Sequence, residues 1–419
     1  MSKYIKVAAV VAVASLGLAA CASSGGDGGT SGSKTLVISS DLPLQGGSAD
    51  ASISTNNMIK LYLKSLDNKV GDYTIEFKEY DNSTAAKGSW DDATCAANAQ
   101  AHVANTNEVA VMGTYNSGCA KIIAPVLNQA PDGPMLMVSH ANTNPGLTKT
   151  WDPGEPEKYF PSGTRSYARV VTTDDYQGAA IAAYAGKELG LKKCYIVNDN
   201  QTYGQGVARS FVDSAEANGI EVVGNDPWDS KQTSYTALFE KAKAKNPDCI
   251  IMSGVYDLNG GQLIKDKVAV LGDNEKVKVL APDGFVGYPD FQAQPEAEGV
   301  FLTFAGLSLA QLAEAGGAAQ QLLADYETEY GEPPSTGYAL YGTAAVQVIL
   351  AAIEASDGTR KGVNAAVFSG SGLTVDETTS AIGKAFTIDP ATGDIDVKDI
   401  SVLQIQNGAE VFVKAIPVS

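Results

Sequence analysis

The stretch VAVMGTYNSGCAKIIAPVLNQAPDGPMLMVSHANTNP, residues Val109–Pro145, decides the fold. It contains two short apolar runs, Val109–Gly113 and Met135–Ser139, each of the length of a buried strand and each followed by a polar turn. Between them, a helix is predicted to begin near Cys119. A strand, a helix and a second strand in succession predict two parallel strands with a helix packed on the sheet.

The same alternation extends in both directions along the chain. Further strand patterns occur at Thr35–Ser39, Tyr73–Tyr80, Cys194–Asn198, Ile220–Val223, Cys249–Ser253, Val277–Leu280 and Gly299–Phe304. Helical patterns occur at Ser52–Leu66, Trp90–Asn105, Asp175–Leu189, Val207–Asn218, Leu309–Tyr330 and Thr336–Ser356. This order predicts an α/β protein with doubly wound parallel sheets, covered by helices on both faces.

The chain is too long for one hydrophobic core, and we expect two such lobes. The segment Thr148–Pro161 contains three prolines and is interpreted as the first crossing between the lobes. Short strands in Phe386–Val418 are expected to complete sheets begun earlier, so several strands would join the lobes as a hinge around a cleft. The expected division is lobe I, residues 35–160 and 306–395, and lobe II, residues 161–305 and 396–419.

The N-terminus has the sequence of a bacterial lipoprotein export signal. Two lysines precede an uncharged, Ala-rich run that ends in the lipobox pattern Leu18-Ala19-Ala20-Cys21. Residues 1–20 are therefore predicted to be a signal peptide, Cys21 to be lipidated and residues 21–34 to be a flexible Gly/Ser tether. The alternative is an ordinary secretory signal. The prediction places the protein in the cell envelope, lipid-anchored on the extracytoplasmic side of the membrane.

The charge of the protein excludes several classes of partner. The formal net charge of −18 becomes −20 once residues 1–20, which contain two lysines and no acids, are removed. Such an acidic surface argues against nucleic acid and against a basic membrane-binding patch. Contact with the membrane is therefore expected only through the lipid anchor.

Four cysteines besides Cys21 predict disulfide bonds in an exported protein. Sequence alone permits three pairings of four cysteines. A local link between Cys95 and Cys119 is favoured, because one lies in a predicted helix and the other follows the next strand. Cys194 and Cys249 each begin a predicted buried strand, and they either pair or serve as small core residues.

Patterns for catalysis and for metal binding are missing from the sequence. The two histidines are too few for a His-based metal cluster. We expect His102 at the surface or boundary of a helix and His140 at the border of the cleft. Gly113–Lys121 departs from a phosphate-binding loop because its lysine comes two residues too late. We therefore predict a protein that is not an enzyme and that uses no cofactor and no metal.

Polar residues cluster at the ends of the predicted strands. These turns are Thr114–Gly118, His140–Pro145, Asp199–Gly204, Gly254–Tyr256 and Ala281–Gly284. Because the carboxyl ends of parallel strands share one edge of a sheet, we expect these turns to line a cleft that binds a small polar solute.

The order and spacing of four segments resemble the leucine/isoleucine/valine-binding protein family. The segments are Gly113–Gly118, Ser139–Leu147, Asp174–Gly178 and Asp199–Gly206. The resemblance implies the type I periplasmic binding fold and a monomeric receptor that delivers an amino acid to an ABC permease. It extends from Leu36 to the end of the chain.

The same resemblance implies roles for residues of the first lobe. Ser117 would donate its hydroxyl to the ligand carboxylate, and Thr143 would donate its hydroxyl and its backbone N–H. The carbonyl of Ala141 would accept a hydrogen bond from the ligand ammonium.

In the second lobe, the resemblance implies that Asp283 pairs with the ammonium, Tyr203 covers the ligand and Tyr256 lines its side-chain pocket. The family acid is often Glu, and Asp is shorter by one methylene. His140 and Asn142 are more polar than the small residues common at their positions. A polar ligand side chain is therefore favoured over that of leucine.

A second hypothesis keeps the fold and changes the ligand or the role. The protein would then be a binding or sensor module for an amide, urea or an aromatic acid. Genes for permease and ATPase subunits beside its own gene would separate an importer from a sensor. A third hypothesis, a surface hydrolase, needs an activated nucleophile that the sequence does not show.

Overall fold

A computed structural model describes residues 34–417, so the predicted signal peptide, Cys21 and nearly all of the tether lie outside the described residues. The strands are β1 (Lys34–Leu42), β2 (Lys69–Val70), β3 (Tyr73–Asp81), β4 (Ser83–Thr84), β5 (Ser89–Trp90), β6 (Glu108–Gly113), β7 (Leu136–Ser139), β8 (Tyr167–Arg169), β9 (Lys193–Asn198), β10 (Glu221–Pro227), β11 (Cys249–Ser253), β12 (Lys278–Ala281), β13 (Phe301–Phe304), β14 (Leu373–Val375), β15 (Phe386–Ile388), β16 (Asp399–Gln406) and β17 (Ala409–Pro417). The helices are α1 (Ala49–Ser65), α2 (Asp92–Ala104), α3 (Ser117–Leu127), α4 (Asp174–Ala183), α5 (Thr202–Ala215), α6 (Thr236–Lys243), α7 (Gly260–Leu271), α8 (Pro289–Gln292), α9 (Leu309–Glu314), α10 (Gly317–Tyr330), α11 (Tyr338–Glu354) and α12 (Arg360–Phe368).

Most strands of residues 34–417 form two large sheets, one in each lobe, and β4–β5 and β14–β15 form two small two-stranded sheets. The sheet of lobe I has the order β2-β3-β1-β6-β7-β8, and all its pairings are parallel except that of β2 with β3. The sheet of lobe II has the order β10-β9-β11-β12-β13-β16-β17. Its first five strands are parallel, and the C-terminal hairpin β16–β17 adds antiparallel strands at the edge.

Alternate residues of the central strands pack on opposite faces of each sheet. In β6, Ala110 and Met112 join the core beneath α1 and α11, whereas Val111 joins the core beneath α2 and α3. In β11, Ile250 packs toward α6 and α7, whereas Ile251 packs toward α4 and α5. Burial on both faces explains why these strands are continuous apolar runs. The predicted two-lobe, doubly wound α/β fold is confirmed.

Within the described residues, the chain crosses between the lobes after β8, after β13 and before β16. The three crossing segments are hydrogen bonded to one another. The N–H of Thr172 donates to the carbonyl of Ala305 over 3.1 Å, and the Thr172 hydroxyl donates to the carbonyl of Asp399 over 2.9 Å. The crossings therefore form one connected hinge region.

The first crossing lies later in the chain than the sequence analysis placed it. The strand β8 pairs with β7 in the sheet of lobe I, with Ala168 opposite Val138. The boundary after residue 160 is therefore corrected to one after Arg169. The proline-rich segment is an excursion of lobe I, because Tyr159 and Phe160 pack in the core of that lobe.

The single helix predicted over Leu309–Tyr330 is two helices, α9 and α10. They are separated by Ala315 and Gly316, and Gly316 and the first residue of α10, Gly317, have φ angles of 73° and 56°. Positive φ angles favour glycine and interrupt the helical hydrogen bonds. The sequence pattern did not reveal this break, because the buried apolar residues keep a helical spacing on both sides of it.

Two disulfides join neighbouring elements. Cys95 on α2 is bonded to Cys119 on α3, with the Cα atoms 5.7 Å apart. Cys194 and Cys249, whose pairing the sequence did not decide, are bonded across the adjacent strands β9 and β11, with the Cα atoms 4.6 Å apart.

Between residues 34 and 417, no helix combines the length and the apolar character needed to cross a bilayer.

Candidate ligand-binding site

A cavity lies between the lobes, at the carboxyl ends of the parallel strands. Its lining residues are Tyr115, Asn116, Ser117, Ala141, Tyr203, Val255, Asp283, Gly284 and Tyr338. Ser117, Ala141, Tyr203 and Asp283, which the resemblance assigned to the ligand, thus line one shared cavity.

The wall from lobe I begins where β6 turns into α3. Gly113 has a φ angle of +146°, and a Cβ atom there would lie 2.7 Å from the carbonyl oxygen of Asp41, so only glycine fits. Ser117 is the first residue of α3, and its hydroxyl accepts a hydrogen bond from the N–H of Asn144 over 3.4 Å. The first turn of α3 therefore presents a hydroxyl and backbone N–H groups, an arrangement that suits an anion.

The turn after β7 is held by a buried serine. The hydroxyl of Ser139 donates to the carbonyl of Thr114 over 3.0 Å and accepts from the N–H of Ala141 over 3.2 Å and of Asn142 over 2.9 Å. These bonds fix the backbone of Ala141 at the edge of the cavity.

The wall from lobe II presents a buried acid, Asp283, in the turn after β12. Its carboxylate accepts hydrogen bonds from the Gln177 side-chain amide over 2.6 Å and from the hydroxyls of Tyr203 and Tyr338. Burial raises the pKa of Asp283, although these hydrogen bonds oppose the increase. Tyr338 belongs to lobe I, so its bond to Asp283 spans the cleft.

A second buried carboxylate, Asp174, lies close to Asp283. The side-chain nitrogen of Gln177 bridges the two, at 3.1 Å from Asp174 Oδ1 and 2.6 Å from Asp283 Oδ1. Burial, and then the charge of Asp283, raise the pKa of Asp174 well above its usual range. A cationic group near this pair would offset the repulsion between the two acids.

Thr143 is not among the residues that line the cavity. Its carbonyl accepts the N–H of Asp174 over 2.9 Å, where α4 begins, so its backbone is tied to lobe II. The hydroxyl of Thr143 and Oδ2 of Asp174 lie near each other, and neither makes a well-formed hydrogen bond with any residue from 34 to 417. Direct contact of Thr143 with a ligand remains a prediction.

Tyr256 does not line this cavity and is partly buried against the core of lobe II, so its contact with a ligand remains a prediction. Its ring packs on those of Tyr288 and Phe291, with centroids 4.8 and 5.4 Å away, and its hydroxyl accepts from Gln294. The neighbouring Val255 lines the cavity instead. A shift of one residue after β11 decides which side chain reaches the cleft, and the sequence does not reveal that register.

Sequence reasoning missed Tyr338 and Gln177 as partners of Asp283. Tyr338 begins α11, far along the chain, and its position in the cleft follows from the packing of that helix on lobe I. His140 was expected at the border of the cleft, and its ring lies 5.8 Å from that of Tyr338. Its two ring nitrogens are buried without a hydrogen-bond partner among the described residues, and burial lowers its pKa to about 3.

The lobes are closed over the cavity. Besides the bond between Tyr338 and Asp283, the hydroxyl of Ser48 in lobe I donates to Asp257 in lobe II. The side chain of Asn144 in lobe I donates to the carbonyl of Thr202 in lobe II over 3.3 Å.

No group of His, Cys, Asp and Glu side chains within residues 34–417 has the arrangement of a metal site.

Comparison with known proteins agrees with this architecture. The Leu/Ile/Val-binding protein BraC3 of Rhizobium johnstonii is 30% identical over 244 residues, which are 58% of this chain and 60% of that protein. The chain thus aligns with less than two thirds of the length of that relative.

Two solved structures show the fold. The branched-chain amino acid binding protein LivJ of Streptococcus pneumoniae, solved with isoleucine, has 21% identity and a TM-score of 0.72, and the match covers 91% of this chain and 100% of that one. A solute-binding protein of Rhodopseudomonas palustris, solved with p-hydroxybenzoic acid, has 17% identity and a TM-score of 0.74, with 91% and 97% covered. A sequence profile of periplasmic binding proteins matches residues 40–409. The chain belongs to the periplasmic binding protein family.

Proposed function

We propose that the protein is the extracytoplasmic solute receptor of an ABC importer and that it binds a small α-amino acid without catalysing a reaction. The observation that carries this proposal is that Ser117, at the start of α3, and Asp283 line one closed cavity from opposite lobes. A zwitterion has a matching anionic and cationic end. The Leu/Ile/Val-binding relative supports an amino acid as the class of ligand.

The electrostatics of the cavity favour a ligand with a positive group. Asp283 is buried beside Asp174, and Arg169, which also acts on Asp174, already pairs with Asp394 at 2.8 Å. An ammonium beside Asp283 would favour the charged form of this carboxyl and supply its countercharge. The ligand would then bridge the lobes and shift the population from open to closed.

The other lining groups favour a polar ligand side chain. The lining includes Asn116 and three tyrosines, Tyr115, Tyr203 and Tyr338, of which the last two donate their hydroxyls to Asp283. A second candidate ligand is an aromatic acid, which the three tyrosine rings favour and which is bound by the similar protein of Rhodopseudomonas palustris. An aromatic acid has no cationic group to pair with Asp283, so only an amino acid would need the negative charge of that residue.

Titration calorimetry on refolded protein, freed of any retained solute, separates these candidates. The panel would contain the twenty common L-amino acids, p-hydroxybenzoate, urea and an aliphatic amide. We expect tight binding of at least one amino acid. Binding of p-hydroxybenzoate alone would favour the second candidate, and binding of no member would refute the proposal.

Asp283→Asn is expected to weaken binding of that amino acid by about 2–5 kcal/mol, because a buried ammonium loses its countercharge. The matched control is Asp266→Asn, a buried acid of lobe II on α7 that accepts from Ser234 over 3.0 Å and does not line the cavity. The control should keep the wild-type affinity. Unchanged affinity of Asp283→Asn would contradict the assignment of the ammonium to this residue.

We further propose that the mature protein is a monomer, anchored through a lipid on Cys21, that docks on an ABC permease. The lipobox Leu18–Cys21 and the family of the chain support this location. Mass spectrometry of the membrane fraction should detect an N-terminal peptide that begins with a diacylglyceryl-modified Cys21. An unmodified mature N-terminus in the soluble fraction would show that the export signal is an ordinary one.

A further inference from the structure

The segment Thr148–Thr164, called the strap below, reaches from lobe I to lobe II. At its tip, the ring of Trp151 lies under the guanidinium of Arg209, whose Cζ is 4.0 Å from the ring centroid. Nη1 of Arg209 also donates to Asp152 Oδ1 over 3.2 Å and to the carbonyl of Trp151 over 3.4 Å. Arg209 belongs to α5, which packs on the sheet of lobe II.

The strap is held firmly on lobe I by a buried acid. Glu155, only 2% exposed, accepts from Lys121 on α3 over 2.8 Å and from the Tyr159 hydroxyl over 2.6 Å. Burial alone would raise the pKa of Glu155, but these hydrogen bonds lower it to about 2, so the carboxylate stays charged. Its second oxygen accepts the N–H of Asp152 over 3.2 Å, which fixes the tip of the strap.

The strap also contacts lobe II beside the hinge. Lys149 donates to Thr173 Oγ1 and to Asp175 Oδ2, both over 2.9 Å, directly after the first crossing. Contacts next to a hinge persist when lobes rotate apart. Arg209, in contrast, lies on α5, whose first turn carries Tyr203 into the cavity, so it moves with the wall of the cleft.

We propose that Trp151, Asp152 and Arg209 form a latch that stabilises the closed lobes without touching the ligand. This inference rests on the proposed function, because a closed-state contact raises affinity only if the ligand binds by closure. The latch forms after the ligand has entered. Its loss should therefore raise the rate of ligand dissociation and leave the rate of association unchanged.

The expected loss of ligand affinity depends on how exposed the side chains of the latch are. The side chains of Arg209 and Asp152 are 48% and 54% exposed, so their ion pair contributes little. A cation–π contact at a half-exposed site adds somewhat more. Together they predict a roughly three- to tenfold increase in the dissociation constant when the latch is removed.

The test uses Arg209→Ala, Trp151→Ala and the double variant, titrated with the amino acid that binds most tightly in the panel described above. We expect each single change to weaken binding three- to tenfold, as estimated above, and the double variant to be no weaker than the worse single variant. Asp213→Ala is the matched control, since Asp213 contacts Arg209 within α5 at 3.9 Å and forms no hydrogen bond or ion pair with lobe I among residues 34–417. It should retain wild-type affinity.

Strictly additive effects, wild-type affinity of Arg209→Ala, or a slower association rate would each overturn the latch. If the wild type binds no panel member, the proposed function fails and not the latch. Small-angle scattering of the protein as purified, before any retained solute is removed, then decides. A larger radius of gyration for Arg209→Ala than for the wild type and Asp213→Ala supports the latch, and equal radii refute it.

Discussion

At the scale of single residues, His102 shows how a buried cation can be built into a lobe. Its Nδ1 lies 2.6 Å from Glu108 Oε1, and its Nε2 lies 3.0 Å from Asp41 Oδ2. The expected position at a helix surface is wrong, because all three side chains are fully buried. Burial alone would favour neutral imidazole, but the two carboxylates raise its pKa to about 9.

This pKa predicts how the stability of the protein depends on pH. The folded-state pKa of His102 lies above its unfolded value of 6.5, so the folded state holds the proton more tightly. The contribution, on the order of 3 kcal/mol, is complete below about pH 6.5 and is lost as the pH rises through about 9. Urea unfolding from pH 6 to 10 should show this loss, and His102→Gln should abolish it.

The second histidine provides the internal control. Burial lowers the pKa of His140 to about 3, so its imidazole stays neutral where His102 is charged. Since the chain contains only these two histidines, NMR of the ring carbons should show one signal that titrates near pH 9 and one that does not change above pH 5. A signal titrating near pH 6.5 in the folded protein would contradict the buried ion cluster.

At the scale of elements, the two disulfides close chain segments of different length. The Cys95–Cys119 bond closes a segment of 24 residues between α2 and α3. The Cys194–Cys249 bond closes one of 55 residues between β9 and β11. Because a longer closed segment restricts the unfolded chain more, the second bond should contribute more to stability.

Replacing both cysteines of a pair by alanine tests this order. We expect the free energy of unfolding to fall by about 3 kcal/mol for Cys95/Cys119 and by about 4 kcal/mol for Cys194/Cys249. Guanidinium chloride unfolding measures both values. Each single alanine variant should lose as much as its double variant, because either change removes the cross-link. The opposite order would show that the packing lost at α2 and α3 outweighs chain entropy.

Also at this scale, the sequence predicted most elements close to their true bounds. The strand Cys249–Ser253 is reproduced residue for residue, because a short apolar run flanked by polar residues has few other folded forms. The strand β8 was missed, since three residues carry too little pattern to be recognised. The break between α9 and α10 was missed because the apolar period continues across it.

At the scale of the whole molecule, function depends on contacts between lobes. The cavity has walls from both lobes, the hinge joins three separate segments, and the strap links lobe I to α5. None of these features belongs to one element. The strap shows why such contacts are difficult to predict from sequence. Its prolines indicated a crossing between the lobes, whereas its aromatic residues pack it onto lobe I.

The sequence by itself determined the doubly wound fold and the edge at which polar residues gather. Strand patterns are local, and parallel strands bring their carboxyl ends to one side whatever the register. Only the tertiary structure decided that Val255 rather than Tyr256 lines the cavity, that Tyr338 reaches across to Asp283, and that Asp174 stands beside it. These depend on helix packing and on rotation of one lobe against the other, which no local pattern of residues encodes.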